Sequence, residues 1–475
     1  MILKFSTVIM SVAAGALISV SAANANHHEL TPAQAKAREI YSTVIAMRTA
    51  KGHGNVPEMA AYLAGELQAA GFAEEDMEII PAGETAAFTL RYRGDGSSGA
   101  KPVLFLAHMD VVDAKRDDWE HDPFVLREED GFFLGRGVAD NKYGITNLTQ
   151  SFMRLKQEGF VPTRDLILVF TGDEETDMVT TRMMAYDRED LAEAEFALNS
   201  DAGGGAYTED GTVLPYDMQA AEKTYATFNV TSRNPGGHSS RPRADNAIYD
   251  LARALLEIEE YSFPVMANDI TRASARAAAA DIGGDTGAAL AKFADDPDNK
   301  KAIKVLRGDN STSNMLSTTC VATMLDGGHA ENALPQSAVA TVNCRIFPGV
   351  EIETVRQILV DVIDNDALDI AQSDERFVAS PASEPRADVN AALSAAIQVR
   401  YPGVEIVPSM SAGGTDGMHF RRAGIPTFGV SARFVRHGYR ANAHGLNERL
   451  PVSTFYEGLD HWINLIKELA GPTQE

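Results

Sequence analysis

The sequence has few cysteines, few cations relative to acids, and no internal repeat. Its two cysteines, Cys320 and Cys344, are too few for a disulfide-rich scaffold or a cysteine-based zinc module, so any metal site must use His, Asp and Glu. Only 42 Lys and Arg stand against 67 Asp and Glu, which gives a formal charge of -25. Such a surface repels phosphate backbones and anionic lipids, so nucleic-acid binding and a peripheral membrane role are disfavoured.

The N-terminus has a pattern of its own within this chain of 475 residues. Lys4 precedes an apolar run over residues 5–20, and Ala23-Asn24-Ala25 follows it. These three parts are typical of a secretory signal peptide, so we expect cleavage after Ala25 and export to the periplasm or the medium. The run is too short and wrongly flanked for a membrane span, and a buried or amphipathic N-terminal helix is the alternative interpretation.

Short apolar runs alternate with amphipathic segments in the first half of the chain. The apolar runs lack polar alternation, as expected for strands buried on both faces, and cover residues 88–92, 103–107 and 166–170. Helical spacing covers residues 32–50, 56–70 and 145–157. This alternation predicts an α/β fold with helices on both sides of a sheet, and the hydrophobic content of 44% suffices for two or three domains.

The pattern changes after about residue 220. Strands are predicted over residues 224–231, 313–325, 337–347 and 370–378, with helices over 245–259 and 350–364. The resulting order, β-α-β-β-α-β, predicts a ferredoxin-like unit, interrupted by an Ala-rich stretch over 261–310 that we interpret as a pair of extra helices. Helices over 390–400 and 453–469 resume the first pattern. We therefore predict a smaller domain (220–383) inserted into a larger one (26–219 and 384–475).

Polar residues follow several of the predicted buried strands, where open α/β sheets place their functional sites. His108-Met109-Asp110 ends one strand, the acidic run 173–175 follows a second, and Asp201 follows a third. Asp140 closes a glycine-rich loop before a helix, and His444 lies among small residues near the C-terminus. Each has a local alternative: a loop histidine beside a surface acid, a solvated acidic turn, or a helix cap.

Taken together, these segments supply two histidines and four carboxylates besides Asp110, which is the ligand chemistry of a two-zinc hydrolytic site. In this order they resemble the dizinc metallopeptidase family that includes glutamate carboxypeptidase, aminoacylase, dipeptidases and succinyl-diaminopimelate desuccinylase. The resemblance covers nearly all of the chain after residue 25. It implies a zinc-peptidase-like catalytic domain with a mixed central sheet, interrupted by a ferredoxin-like α+β lid and dimerisation domain.

The resemblance also implies roles for individual residues and two Zn²⁺ per subunit, which Co²⁺ or Mn²⁺ can replace. One metal would be held by His108 and Asp201, the other by Glu175 and His444, with Asp140 bridging them. Asp110 would orient His108. Glu174 would be the general base that deprotonates water and later protonates the leaving amine.

Further residues resemble substrate-contacting positions of this family. They lie in the predicted lid and in a second glycine-rich loop, residues 413–418. His238 would help to stabilise the oxyanion, often in the active site of the partner subunit, and Asn332, Gly414 and Thr415 would contact substrate. Arg345 suits a substrate carboxylate, although a structural ion pair explains it equally well. Several relatives carry Arg near the position of Met418. Without it, a substrate carboxylate requires Arg345 or one of Arg421, Arg422, Arg433 and Arg436.

The function implied is an exported dizinc exopeptidase of the carboxypeptidase or dipeptidase type, acting as a homodimer through the lid. An N-acyl-amino-acid amidohydrolase is the alternative, with an N-acyl amino acid as substrate instead of a small peptide. A non-catalytic binding protein of the same fold is a more distant alternative. Cys320 and Cys344 lie on consecutive predicted strands, where they would form either a cross-strand disulfide or two buried thiols.

Overall fold

The computed structural model describes residues 30–374 and 376–472, so the predicted signal peptide lies outside the described residues. The helices are α1 Pro32–Ala46, α2 Val56–Ala69, α3 Lys142–Gln157, α4 Val179–Tyr186, α5 Glu189–Ala192, α6 Ala247–Glu260, α7 Asp269–Ile282, α8 Gly284–Asp295, α9 Lys300–Arg307, α10 Ile352–Ile363, α11 Ala387–Gln398, α12 Gly417–Arg422 and α13 Val452–Ala470. Within the described ranges, none of the helices combines the length and the hydropathy needed to cross a bilayer.

The strands are β1 Met77–Ala82, β2 Thr85–Tyr92, β3 Val103–His108, β4 Arg127–Glu129, β5 Phe132–Leu134, β6 Leu166–Thr171, β7 Phe196–Asn199, β8 Gly205–Tyr207, β9 Tyr216–Glu222, β10 Thr224–Arg233, β11 Gly237–His238, β12 Thr319–Gly327, β13 Ala333–Leu334, β14 Ser337–Ile346, β15 Leu368–Gln372, β16 Ile406–Ser411, β17 Thr427–Gly429, β18 Phe434–Arg436 and β19 Arg449–Pro451.

The larger sheet has eight strands in the order β1-β2-β6-β3-β7-β17-β9-β16. Strands β6, β3, β7 and β17 run parallel, whereas β1, β2 and β6 pair antiparallel in succession and β9 is antiparallel to β17. Alternate residues of β3 enter different cores: Phe105 packs on one face of the sheet, and Leu104 and Leu106 on the other. The predicted α/β fold with a mixed central sheet is confirmed. The apolar runs predicted it because strands buried on both faces need apolar side chains at every position.

The smaller sheet has the order β12-β14-β10-β15, and helices α6 and α10 pack against it. Its chain order is strand, helix, two strands, helix, strand, so the predicted ferredoxin-like unit is confirmed. Cys320 and Cys344 are directly opposite in the β12–β14 register and form a disulfide. The exact limits of the two domains stay predictions; strand β9, which ends at Glu222, belongs to the larger sheet.

The Ala-rich insert forms three helices, so the prediction of a pair was wrong. Gly283, with φ of 64°, separates α7 from α8, and the Asn299 side chain caps α9 by accepting from the backbone of Ala302 at 3.1 Å. The insert packs on β16, at the edge of the larger sheet: Ile270 enters the main core and Ser274 Oγ donates to the Pro408 carbonyl at 3.0 Å.

Three predicted boundaries were also wrong. The first helix ends at Ala46 because Met47 is already extended and its carbonyl accepts from the Lys142 ammonium instead of from a helix turn. The second lid strand starts at Thr319, after a short 3₁₀ turn over Ser313–Met315. The last lid strand covers Leu368–Gln372, where it pairs with β10, and not 370–378.

Candidate metal centre

The centre is built at the carboxyl ends of three neighbouring parallel strands. His108 is the last residue of β3, the acidic run 173–175 follows β6, and Asp201 follows β7. In the ladder, His108 lies opposite Thr171 and Leu106 opposite Asn199. The three strands therefore end at the same level, and the polar residues that follow them meet at one edge of the sheet.

The Asp140 carboxylate lies between the two predicted histidine ligands. Its Oδ1 is 3.0 Å from His108 Nε2, and its Oδ2 is 3.2 Å from His444 Nε2. Asp201 Oδ1 lies 3.6 Å from His108 Nε2, and Glu175 Oε1 lies 2.9 Å from His444 Nε2. The tertiary structure thus brings together five residues from distant parts of the chain, with one oxygen of Asp140 directed at each histidine.

The donor atoms form overlapping groups that fit metal ions. In each group one ligand atom per residue lies within 4.8 Å of the others, and the groups are His108–Asp140–Asp201, Asp140–Glu175–His444 and His108–Glu174–Glu175. The first two groups share Asp140, as a carboxylate that bridges two ions would require. Imidazole nitrogens with carboxylate oxygens are the donor set of catalytic zinc sites.

The electrostatics of the cluster call for added positive charge. Burial would lower the pKa of His108, but Asp201, Asp110 and Asp140 outweigh it and raise that pKa well above its usual value. Hydrogen bonds with Asp140 and Glu175 raise the pKa of His444 to about 10. Without a metal the histidines would take up protons to balance the carboxylates, and bound cations would replace those protons.

Glu174 is placed differently from its neighbour Glu175. Burial, together with the nearby carboxylates of Asp201 and Asp416, raises the pKa of Glu174 well above its usual value despite the opposing effect of His108. Its backbone N–H donates to Asp110 Oδ1 at 3.1 Å, so its position is fixed from the β3 side. A carboxyl group that readily exchanges a proton suits acid–base chemistry.

Asp110 ties the ends of β3 and β6 together. Its carboxylate accepts the backbone N–H groups of Glu174 and Glu175, the latter at 3.0 Å. His108 Nδ1 lies 3.1 Å from the Asp110 carbonyl oxygen and 3.4 Å from its Oδ1. Asp110 therefore faces the second nitrogen of His108 and also positions the acidic run.

Sequence reasoning missed Glu448, which holds the loop that carries Asp140. Glu448 is fully buried, and its carboxylate forms an ion pair with Arg136 at 2.7 Å. It also accepts the backbone N–H groups of Gly137, Ala139 and Asp140. The one signal in the sequence was an acid four residues after His444, and nothing in the residue type shows that it is buried.

Asp416 was also missed, and it anchors the second glycine-rich loop, residues 413–418, near the centre. Its carboxylate accepts from Thr171 Oγ1 at 2.7 Å and from Thr181 Oγ1 at 2.5 Å. Burial raises its pKa to about 7. Because Thr171 is the last residue of β6, these bonds hold the loop at the same sheet edge as the predicted ligands.

The predicted substrate residues of this loop, Gly414 and Thr415, contact other parts of the protein. Thr415 Oγ1 donates to Glu222 at 3.0 Å, and Glu222 forms a buried ion pair with Arg421 at 3.0 Å. A side chain at Gly414 would meet the Met418 methyl group at 2.9 Å. Arg421 is therefore not free for a substrate carboxylate.

Arg345 lies near this loop from the lid side. Its Nη1 donates to the Ala412 carbonyl at 3.0 Å, and its guanidinium lies 4.7 Å from the centroid of the Tyr225 ring. The structural ion pair considered as its alternative role is not found among the described residues. Arg345 remains available for a ligand carboxylate.

His238 and Asn332 lie together but far from Arg345. They are on the paired segments β11 and β13 or next to them, and the Ser239 N–H donates to the Asn332 carbonyl at 3.0 Å. In the β10–β14 ladder Arg345 is opposite Tyr225, whereas the β11 end of β10 lies eight residues further on. At ~3.4 Å per residue the two ends are roughly 27 Å apart.

Comparisons with known proteins agree with this architecture. Residues 104–468 match the model of the family described as Peptidase family M20/M25/M40. An N-fatty-acyl-amino acid synthase/hydrolase of Danio rerio is 25% identical over 374 residues, which are 76% of this chain and 71% of that protein. A probable carboxypeptidase S-like protein of Dictyostelium discoideum is 24% identical over 399 residues, 80% of this chain and 74% of that protein.

Among solved structures, an M20 family metallo-carboxypeptidase from Sulfolobus solfataricus superimposes with a TM-score of 0.69. The match covers 91% of this chain and 98% of that one at 16% identity, which supports the fold alone. The family model, in contrast, spans most of the chain and contains every predicted metal ligand. The protein is thus a hydrolase of the metallopeptidase and amidohydrolase type and belongs to peptidase family M20/M25/M40.

Proposed function

We propose that the protein is a dizinc exo-acting hydrolase that cleaves the amide bond next to a free carboxylate. The observation that carries this proposal is the placement of Asp140 between His108 and His444, with one carboxylate oxygen near each. His108 and Asp201 would hold one ion, Glu175 and His444 the other, and Asp140 would bridge them. When bound, the two ions polarise the scissile carbonyl and lower the pKa of the attacking water.

Glu174 is the proposed proton carrier. A carboxylate oxygen of Glu174 takes the proton from the attacking water and later delivers it to the leaving nitrogen. Its raised pKa supports this role, because a carboxylate with a raised pKa takes up a proton more readily than an exposed one. Asp110, which accepts its backbone N–H, keeps it beside the centre.

Arg345 and the relatives support the proposed substrate class. Arg345 has no carboxylate partner among the residues described, so its fork is free for the carboxylate of an amino acid. A small peptide and an N-acyl amino acid both place such a carboxylate next to the scissile amide. The relatives named for carboxypeptidase and for N-fatty-acyl-amino acid activity support both classes, and we propose the peptide as the main substrate.

We further propose a homodimer through the lid. Strand β12 is at the edge of the small sheet and exposes Val321, Met324 and Leu325, the last two at 69%. Ile248 and Tyr249 on the adjoining α6 are also exposed. A second copy of the chain would cover this apolar edge, since unpaired exposed strands otherwise promote aggregation.

The dimer would also give His238 a role. His238 follows the far end of β10 by five residues, and that end, Arg233, lies roughly 27 Å along the strand from Tyr225, which is opposite Arg345. It is exposed, and its Nδ1 lies 2.8 Å from Ser240 Oγ. We propose that His238 acts with Asn332 in the site of the second subunit, where it stabilises the oxyanion.

Export after cleavage near Ala25 remains part of the proposal. The disulfide between Cys320 and Cys344 supports it, because disulfides persist mainly in oxidising compartments. Reduction by a cytosolic thiol pool would otherwise keep these two cysteines as thiols.

The proposed function is tested with purified protein loaded with zinc. Dipeptides and N-acyl amino acids are incubated with the loaded protein and with chelator-treated protein, and free amine is measured. We expect metal-dependent release from at least one panel, and the faster panel identifies the substrate class. Binding without any release in either panel would instead favour the non-catalytic alternative.

A further inference from the structure

Lys223 is a buried cation at the junction of the two sheets. It lies between β9 and β10, and its side chain is almost fully buried, with the residue 1% exposed. The ammonium donates to the Ser317 carbonyl at 2.6 Å. Burial, with an added effect of the Arg345 cation, lowers the pKa of Lys223 to about 8, and no acid among the described residues opposes this shift.

Arg345 shares this lack of an acidic partner. Its contacts are the Ala412 carbonyl and the face of the Tyr225 ring, and burial lowers its pKa. Two neighbouring cations without a carboxylate are unexpected in a protein with 67 acids and 42 Lys and Arg. For comparison, the buried Arg136 forms an ion pair with Glu448, and the charges of Glu448 and Asp110 act on the buried Lys142, whereas no acid within the described ranges acts on Lys223 in this way.

The nearest acid in the chain, Glu222, does not compensate Lys223. Successive residues of a strand point to opposite faces of a sheet, so Glu222 and the residue after it diverge. The Glu222 carboxylate is occupied by Arg421 at 3.0 Å and by Thr415 at 3.0 Å. A buried ammonium with one carbonyl acceptor costs stability, and an anion at this position would offset that cost.

The two cations lie at the beginning of the glycine-rich loop. The Lys223 N–H donates to the Ser411 carbonyl at 2.9 Å, and Arg345 donates to the adjacent Ala412 carbonyl. Four residues after Ala412, Asp416 is close enough to His108 for their charges to interact. The cation pair therefore lies at the beginning of the loop that Asp416 ties to the metal-centre edge of the larger sheet through Thr171.

We propose that Lys223 is a positioning and specificity-determining residue whose buried positive charge favours a carboxylate bound at Arg345. The guanidinium of Arg345 donates to the carboxylate, and the buried ammonium of Lys223 supplies a second positive charge next to Arg345. The ligand class is an amide whose leaving amino acid has a free α-carboxylate. This inference rests on the proposed function for its substrate, whereas the anion site itself is testable without turnover.

The test compares an acid and its neutral amide. The kinetic parameters kcat and KM are measured for N-acetyl-methionine and N-acetyl-methioninamide with the zinc-loaded wild type and with the variant Lys223→Met. This variant removes the charge and largely keeps the length of the side chain. We expect kcat/KM for the acid to fall at least about tenfold, mainly through KM, the size of one lost charge-assisted contact. The amide should change by less than about twofold, because it lacks the charge.

Stability separates a binding role from a structural one. Because Lys223→Met removes an uncompensated buried charge, its unfolding temperature should be equal to that of the wild type or higher. Arg307→Met is the control for removal of a cation that donates to a backbone carbonyl, since Arg307 donates to that of Phe263 but is exposed and lies in the insert. An equal loss for acid and amide, or a marked loss of stability in both Lys223→Met and Lys223→Gln, would overturn the proposal.

A binding measurement keeps the inference independent of hydrolysis. If neither N-acetyl compound is cleaved, the dipeptide panel still tests the proposed function, and calorimetry with methionine and methioninamide still tests the anion site. Weaker binding of methionine alone in Lys223→Met supports the site, and unchanged binding of both ligands overturns it. If Lys223→Met does not fold, Lys223→Gln is measured in the same way.

Discussion

The Glu448 carboxylate accepts the backbone N–H of Asp140, with 3.1 Å between Oε1 and the nitrogen. Glu448 follows His444 by four residues, so the segment that supplies one proposed ligand also positions the bridging one. The two proposed metal positions are therefore coupled through the backbone and through Asp140 itself. Loss of this link should affect both.

We predict that Glu448→Ala destabilises the protein by ~3 to 5 kcal/mol, because it leaves the buried Arg136 without a partner. Zinc content should fall as well, since the Asp140 loop loses its acceptor. Urea unfolding and metal analysis measure the two effects. Glu468→Ala, at an exposed position of α13, is the control, and equal stability of both variants would contradict the prediction.

Replacement of the proposed proton carrier should separate chemistry from metal binding. Glu174→Gln should retain about two zinc ions per chain and lose at least a hundredfold in kcat, roughly the contribution of general acid–base catalysis. Metal analysis and steady-state kinetics of the same preparation show both. By contrast, His444→Ala should lose metal as well as rate. Full activity in Glu174→Gln would refute the mechanism.

The lid edge should control the oligomeric state. Leu325→Lys places a charge on the exposed edge strand β12, so we expect monomers by light scattering and reduced kcat, because His238 of the partner subunit no longer reaches the site. Val399→Lys is the matched control: Val399 is also 69% exposed but lies outside the lid sheet. A monomeric wild type with full activity would exclude the proposed dimer.

We predict that the buried His461, away from the metal centre, makes the folded protein less stable in acid. Burial lowers its pKa from 6.5 to about 4, so the unfolded chain binds a proton that the folded protein excludes. This stability is present above pH 6.5 and decreases as the pH falls toward 4, by up to ~1.4 kcal/mol per pH unit. His461→Gln should reduce this slope in urea unfolding across the same range, while His419, whose pKa burial also lowers to about 4, still contributes to it. The exposed His437→Gln should leave it unchanged.

The sequence predicted an element correctly where its residue pattern has a single physical explanation. Apolar runs without polar alternation predicted β3 and β6, and the residues at their ends were correctly expected at one sheet edge. Glu448 and Asp416 escaped prediction because an acid in a loop is usually solvated. Only the burial of Asp416 against Thr171 and Thr181 reveals its anchoring role.

By itself the sequence determined the order of elements, the α/β and ferredoxin-like patterns and the set of polar residues at strand ends, because these depend on local periodicity. The tertiary structure decided which residues meet. It joined Cys320 to Cys344, placed Asp140 between two histidines, and separated His238 from Arg345. Such contacts depend on strand register and on packing between segments far apart in the chain, which local patterns do not encode.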